Sequence, residues 1–270
     1  MLIDLTGKVA VITGGGRGIG RELVLRLASE GVTTVTLDVN AADLDSLGAE
    51  LSAAGAPSSQ FVCDITQFDR IEQVIGEVEA LYGRIDILIN NAGVTATGPI
   101  ETLTEQAWRF AHDVNLTGTF LMCKAVIPIM KRHASGRIIN ASSFAAIIPS
   151  VAHSAYASSK AAVAHFTRAL AGELGPWNIT ANSYAPGMVP TTLNHFTERP
   201  AEEQARLLDT LTLRRWGSAE DIGNVICFLA SDQASYITGT LLDVSGGKLA
   251  TQVPSVAYDW FESGDAASII

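Results

Sequence analysis

Tyr156 and Lys160 stand four residues apart, a spacing that puts both side chains on one face of an α-helix. An ammonium beside a phenol favours the phenolate, so the pair predicts a tyrosine whose pKa falls from about 10 toward working pH. Such a group can take the proton of an alcohol, or return it to a carbonyl oxygen. Taken alone, Tyr-x-x-x-Lys describes many solvated helix faces. Its company gives it meaning: the run Asn140-Ala141-Ser142-Ser143 reads as a strand end, and Ser143 precedes Tyr156 by 13 residues. Ser143 is placed to hydrogen-bond a substrate oxygen, with Ser142 as the competing candidate.

A second constellation lies near the start. The first apolar run ends in Thr13-Gly14-Gly15-Gly16-Arg17-Gly18-Ile19-Gly20. A glycine-rich turn between a strand and a helix aims backbone N–H groups and the positive helix end at a pyrophosphate. The spacing is G-x-x-x-G-x-G on Gly14, Gly18 and Gly20, not G-x-G-x-x-G. Asp38, at the end of the second run, lies 18 residues after Gly20. An acid there accepts hydrogen bonds from ribose hydroxyls and repels a 2′-phosphate, which favours NAD over NADP; Arg17 pulls the other way, and Val39 adds no positive charge. Asp64, followed by Ile65, suits either an adenine edge or the cap of a helix near Gln67.

The elements that must carry these residues alternate. Strands are expected at 8–13, 33–38, 59–63, 85–90, 137–142, 178–183 and 240–244, several apolar almost throughout, as in a parallel sheet covered on both faces. Helical periodicity runs through 19–30 (Leu23, Val24, Leu27) and 71–82 (Ile71, Val74, Ile75, Val78, Leu81). This order implies one α/β domain, a doubly wound parallel sheet of about seven strands with helices on both faces. The domain spans 1–247. The segment 191–215 is polar and helical in pattern, and reads as a flap over the carboxyl edge of the sheet or as a surface helix pair. A tail of 23 residues, 248–270, carries Tyr258, Trp260 and Phe261.

The motifs together resemble the classical short-chain dehydrogenase/reductase family. Thr13-Gly14-x-x-x-Gly18-x-Gly20, Asn90-Asn91-Ala92-Gly93, Asn115, Ser143, Tyr156-x-x-x-Lys160 and Pro186-Gly187 occur in that family's order and spacing, over nearly all of the chain to Gly247. The resemblance implies a Rossmann-type fold and hydride transfer between NAD(H) and a secondary alcohol or ketone. It implies Tyr156 as general acid/base, Lys160 lowering its pKa and binding the nicotinamide ribose, Ser143 polarising the substrate oxygen, and Asn115 holding a water that links Lys160 to solvent. Asn91, Ala92 and Gly93 would line the cofactor. Pro186, Gly187, Val189 and Thr191 would wrap the nicotinamide, with the Val189 backbone facing its carboxamide. Phe144, His153 and Met188 are candidate substrate contacts, although His153 reads equally as an ordinary loop histidine. Phe144, Ile147, Ile148 and Met188 suggest a partly apolar pocket for a cyclic or aromatic alcohol. The resemblance also implies a homotetramer built on helices around 104–133 and 154–175. The tail departs from the usual family ending, and its Tyr258, Trp260 and Phe261 read either as a dock on a neighbouring subunit or as a tail packed on its own.

Bulk properties set the other bounds. A net charge of −10 with 17% charged residues disfavours nucleic acid and anionic membrane as partners. No apolar stretch approaches the roughly 20 residues of a membrane span, and no signal peptide is visible. Cys63, Cys123 and Cys227 lie far apart with no metal-type spacing, which suits reduced thiols in the cytoplasm and disfavours a zinc enzyme. A small molecule is the expected partner. A sensor that binds NAD without turnover is the rival reading; it has no need of Asn115, Ser143, Tyr156 and Lys160 together. An epimerase or dehydratase on the same scaffold is a third, with little chain left for a separate substrate domain.

Overall fold

The computed structural model describes residues 3–191, 194, 196–248 and 250–263. Among them the apolar runs form β1 (Val9–Thr13), β2 (Thr33–Asp38), β3 (Ser58–Val62), β4 (Ile87–Asn90), β5 (Gly136–Ala141), β6 (Ile179–Pro186) and β7 (Leu241–Val244). Their order is β3-β2-β1-β4-β5-β6-β7, and every neighbouring pair is parallel. The central strands β1, β4 and β5 are buried along their whole length, whereas β3 and β7 at the edges are half-exposed. That difference explains why the runs of β1 and β4 are apolar almost throughout and the edge runs are not. The chain winds outward from β1 to β3, then restarts at β4 on the other side of β1. This reversal opens a crevice at the carboxyl edge between β1 and β4, where ligands of such sheets bind.

The helices are α1 (Gly18–Ser29), α2 (Ala41–Ala53), α3 (Phe68–Tyr82), α4 (Glu105–His112), α5 (Thr119–Arg132), α6 (Ser154–Leu174), α7 (Ala201–Leu208), α8 (Ala219–Ala230) and α9 (Ser255–Ser263). Leu23, Val24 and Leu27 of α1 share one buried layer with Leu47 and Leu51 of α2 and Ile222 and Ile226 of α8. Ile71, Val74 and Val78 of α3 share the opposite layer with Met122 and Val126 of α5 and Leu170 of α6. Each of these helices therefore buries one stripe at 3.6-residue spacing in the layers that cover the sheet.

Three sequence expectations need correction. First, β6 runs on to Pro186 rather than stopping at 183, because β7 pairs with it through Pro186 opposite Val244. Second, 191–215 is less helical than its polar pattern suggested: among its described residues, beyond a short turn at Phe196–Glu198, only α7 is helical, and it buries none of its residues. Third, one apolar stretch does reach membrane-span length: in the helix expected around 104–133, α4 and α5 are joined by a π-helical turn, Asp113–Gly118, into 28 continuous residues, Glu105–Arg132. By length and composition it is apolar enough to cross a membrane. Here it lies on the sheet as a core helix, with Met122, Cys123, Val126, Ile129 and Met130 buried.

The tail folds back as α9. The Tyr258 hydroxyl donates to the carbonyl of Thr212 at 2.9 Å, and the Arg214 guanidinium lies 5.0 Å from the Tyr258 ring centre. Tyr258 thus docks on the flap of its own chain, while Trp260 and Phe261 of α9 are exposed. Residues 264–270 of the tail lie outside the described residues.

Candidate active site

The glycine turn is built by close approach. Gly14 has φ +63°, and a Cβ there would lie 2.7 Å from the Cα of Ala92. At Gly20 a Cβ would lie 2.0 Å from the carbonyl oxygen of Gly14. Asn91 braces the turn: its Nδ2 donates to the carbonyls of Thr13 and Gly14 at 3.3 and 3.1 Å, and its Oδ1 accepts from the Tyr184 hydroxyl at 3.2 Å. Thr13 Oγ1 accepts from the N–H groups of Asn91 and Ala92, both at 3.1 Å. Thr13 and Tyr184 escaped the sequence reading of roles, since a polar group inside an apolar strand shows no partner until the sheet is assembled.

Beyond the turn, α1 begins with no side-chain cap and no acid in its first turn, so its first N–H groups face an open cradle. Gly18 (φ +56°) lies at its mouth, and a Cβ there would meet nothing nearer than Thr191 at 3.9 Å. Asp38 Oδ2 accepts from the Gly16 N–H at 2.9 Å and Oδ1 from the Asn40 N–H at 3.1 Å. The carboxylate is thereby fixed beside the turn. Arg17 is exposed and Ile19 half-buried. These residues fit a dinucleotide: a pyrophosphate matches the open N–H groups and a ribose diol matches Asp38. Asp64 is engaged locally, accepting from the Thr66 N–H and hydroxyl at 2.9 and 2.8 Å. It shapes the turn ahead of α3, whose cap is Gln67, rather than capping the helix itself. Ile65 is buried against Gly118.

On the far side of the crevice, the two serines part company. The Ser142 hydroxyl donates to the carbonyl of Lys160 at 2.9 Å, whereas Ser143 hydrogen-bonds the Tyr156 side chain and accepts from the Ala145 N–H at 3.1 Å. Ser143, not Ser142, therefore shares its hydroxyl with Tyr156. Asn115 lies in the π turn, fully buried. Its Oδ1 accepts from the Val94 N–H at 2.8 Å, and its Nδ2 donates to the Val94 carbonyl at 3.0 Å and the Ser159 hydroxyl at 2.9 Å. A Cβ on Gly93 would stand 3.2 Å from both Asn115 Oδ1 and Lys160 Nζ. Asn115, Gly93 and Lys160 are thus packed side by side, which accounts for the glycine.

The electrostatics differ from the sequence expectation. Burial pushes the Tyr156 phenol up from its ordinary value, opposed only by the hydrogen bond from Ser143. The Lys160 ammonium donates to the Ala141 carbonyl at 2.8 Å and stands 5.9 Å from the Tyr156 ring centre. Burial also brings Lys160 down to about 8. An unfolded lysine near 10.5 binds a proton that the folded one has released, so stability is expected to rise with pH between about 8 and 10.5. Lys160→Met should flatten that rise when unfolding midpoints are compared at pH 7.5 and pH 10; an unchanged slope would contradict the burial of this charge.

The remaining candidates scatter. Pro186 and Gly187 end β6, and a Cβ on Gly187 would lie 2.5 Å from the Cα of Ser245. The Val189 carbonyl accepts from Asn194 Nδ2 at 2.8 Å, and its N–H donates to Gly187 at 3.1 Å, so both groups are engaged within the loop. The Thr191 N–H donates to Asn194 Oδ1 at 3.2 Å, which turns Thr191 toward Gly18. Asn194 was not among the expected residues. Met188 is buried and lines, with Leu213 and Val244, a cavity of about 270 Å³ whose walls do not include Ser143 or Tyr156. His153 stands at the N-cap position of α6 without a side-chain cap bond; its Nδ1 lies 3.0 Å from the Val151 carbonyl. Phe144 follows Ser143 in a short 3-10 turn. Among the described residues, no three His, Cys, Asp or Glu side chains converge as a metal site would require.

The sequence profile of the short chain dehydrogenase family matches residues 8–202. The chain is 38% identical over 243 residues to the 3-oxoacyl-[acyl-carrier-protein] reductase of Thermotoga maritima, covering 90% of this chain and 98% of that one. The crystal structure of NAD+-bound xylitol dehydrogenase superposes with a TM-score of 0.86 at 30% identity, covering 90% of this chain and 99% of that one. A putative NAD(P)-dependent gluconate 5-dehydrogenase from Beutenbergia cavernae, with bound NADP, superposes with a TM-score of 0.87 at 33% identity, covering 92% and 99%. With this match, this sheet and this glycine turn, the chain belongs to the short-chain dehydrogenase/reductase family of oxidoreductases.

Proposed function

We propose that the protein moves hydride between NAD(H) and a secondary alcohol or ketone, with Tyr156 as general acid/base. The observation that carries this reading is the hydroxyl pair of Ser143 and Tyr156, backed by Lys160 and Asn115 and facing the crevice opposite the glycine turn. Ser143 holds the substrate oxygen, and Tyr156 takes the carbinol proton in oxidation or gives a proton to the ketone in reduction. Lys160 binds a ribose hydroxyl and exchanges the proton onward, with Asn115 fixing the loop beside it and holding the relay water. Much of the rate comes from fixing both reactants in the closed crevice.

The nicotinamide group supplies the hydride acceptor or donor when bound. Gly14, Arg17, Gly18, Ile19 and Gly20 would hold its pyrophosphate, Asp38 its adenosine ribose, Asp64 and Ile65 its adenine, and Asn91, Ala92 and Gly93 the middle. Tyr156, Lys160, Pro186, Gly187, Val189 and Thr191 would hold the nicotinamide end. Phe144, His153 and Met188 would face substrate. Relatives of this fold bind either dinucleotide, so the choice of NAD rests on Asp38: its carboxylate is pinned by two N–H groups and would meet a 2′-phosphate head on. The three buried free cysteines suit a cytoplasmic enzyme. Trp108, Phe110 and Phe120 are exposed along the long helix, which suits a homotetramer.

The test is NADH or NADPH formation from a panel of secondary alcohols, followed by absorbance. NAD-linked turnover is expected, and Asp38→Ser should move the ratio of kcat/KM for NAD to that for NADP by about 100-fold toward NADP, given about 1.5–3 kcal/mol for each charge-assisted bond lost. A wild-type preference for NADP would overturn the cofactor assignment.

A further inference from the structure

We infer that Lys248 is a specificity residue that binds a carboxylate on the substrate, making that substrate a hydroxy acid or its oxo acid. The inference rests on the hydride transfer proposed above. After β7 the chain turns through Ser245, Gly246 (φ +68°) and Gly247 (φ +79°) and comes back against the flap. That return is tightly held. Leu213 N–H donates to the Gly246 carbonyl at 3.0 Å, and the Thr212 hydroxyl donates to the Gly247 carbonyl at 2.9 Å. A Cβ on Gly247 would come within 2.6 Å of Thr212. The Lys248 N–H is bound in turn to Ser245 Oγ at 3.2 Å.

From this fixed backbone the side chain runs between the exposed Thr210 and the ring of Phe144. Its ammonium donates to the Thr210 hydroxyl at 2.5 Å and stands 5.6 Å from the ring centre of Phe144, the residue next to Ser143. Lys248 is half-buried, yet among the described residues it meets no carboxylate. Arg214, on the same flap, shows the contrast: Asp209 and Glu262 stand 2.8 and 3.9 Å from it. An ammonium has three donors and Thr210 takes one. The others are left beside the ring that follows the substrate-polarising serine, where a carboxylate a few bonds from the carbinol carbon would meet them. Burial lowers the Lys248 pKa, as expected of a cation awaiting a counter-charge. Nothing in the sequence distinguished this lysine, because its meaning lies in the flap contacts.

The experiment uses the full chain with NAD and both enantiomers of 3-hydroxybutyrate, 4-hydroxypentanoate and 5-hydroxyhexanoate, each paired with its amide. At least one acid should exceed its amide in kcat/KM by about 10- to 100-fold, as one charge-assisted hydrogen bond allows. Lys248→Gln should bring that ratio close to one, mainly by raising KM for the acid, and Lys248→Arg should keep most of it. Because the ratio is internal to each variant, a partly misfolded preparation does not disturb it. Amides that equal or outrun their acids, or an acid preference that survives Lys248→Gln, would overturn the inference and leave the hydride transfer standing. If none of these acids or amides, nor the matching ketones with NADH, reacts, the hydroxy-acid inference falls, and the wider panel of secondary alcohols decides the hydride transfer separately.

Discussion

Tyr156→Phe is expected to lower turnover by roughly 10²–10⁴-fold, the range that a positioned acid/base contributes, while leaving dinucleotide affinity within about twofold. The substitution removes one oxygen. The ring stays on α6, so Lys160 keeps its bond to the Ala141 carbonyl and Ser142 keeps its bond to the Lys160 carbonyl. Only the hydroxyl shared with Ser143 disappears. The loss should therefore appear in kcat, with KM for substrate changed much less. Titration of NADH fluorescence measures the binding half of the prediction, and steady-state rates measure the other. Turnover that survives the change would remove Tyr156 from the proton path. A large loss of dinucleotide binding would mean instead that the hydroxyl holds the cofactor. A protein that only sensed NAD would show neither effect.

Much of the fold is legible in the chain because burial on both faces leaves a plain mark. Val9-Ala10-Val11-Ile12 and Ile87-Leu88-Ile89 are apolar without alternation, and they are the centre of the parallel sheet. Boundaries are less legible where pairing rather than polarity decides them. The expected strand stopped at 183, but β6 continues to Pro186 beside β7, with Asn182 bonded to Ile237 and Thr240. The π turn at Asp113–Gly118 left no sequence mark, since its cause is a set of distant partners. Asn115 is held by Val94 and Ser159, and Ile65 fills the space against Gly118. The identity of the catalytic residues could be read from spacing, yet their electrostatics could not. Four residues on a helix bring Lys160 alongside Tyr156, but whether the ammonium faces the phenol depends on the strand end opposite, and Ala141 takes it. Likewise, Ser142 and Ser143 are interchangeable on paper and separated in space just beyond β5, where Ser142 turns to the Lys160 carbonyl and Ser143 opens the 3-10 turn at Phe144.

Gly20→Ala is expected to weaken dinucleotide binding by about 100-fold, as a misplacement near 1 Å does, with a loss of stability of about 1–3 kcal/mol from overpacking. The added Cβ would lie 2.0 Å from the Gly14 carbonyl oxygen and 2.5 Å from Asn91 Nδ2, and those two atoms are bonded to each other at 3.1 Å. A backbone oxygen cannot rotate aside, so the turn itself must shift, carrying with it the N–H groups that face the pyrophosphate. The three motif glycines are thus needed for different reasons, and substitution separates them. At Gly20 the obstacle is the turn packed against its own helix; at Gly14 it is a left-handed φ together with Ala92. At Gly18 a methyl meets only Thr191, at 3.9 Å. Its cost in the free chain is then the left-handed backbone alone, about 1–2 kcal/mol, yet it occupies the mouth of the cradle. Gly18→Ala should therefore lose affinity while keeping a well-defined unfolding transition, and Gly20→Ala should lose more of both. Calorimetric melting and dinucleotide titration on the two variants measure each quantity separately. Wild-type affinity in Gly20→Ala would mean that the phosphates are held elsewhere than at this turn.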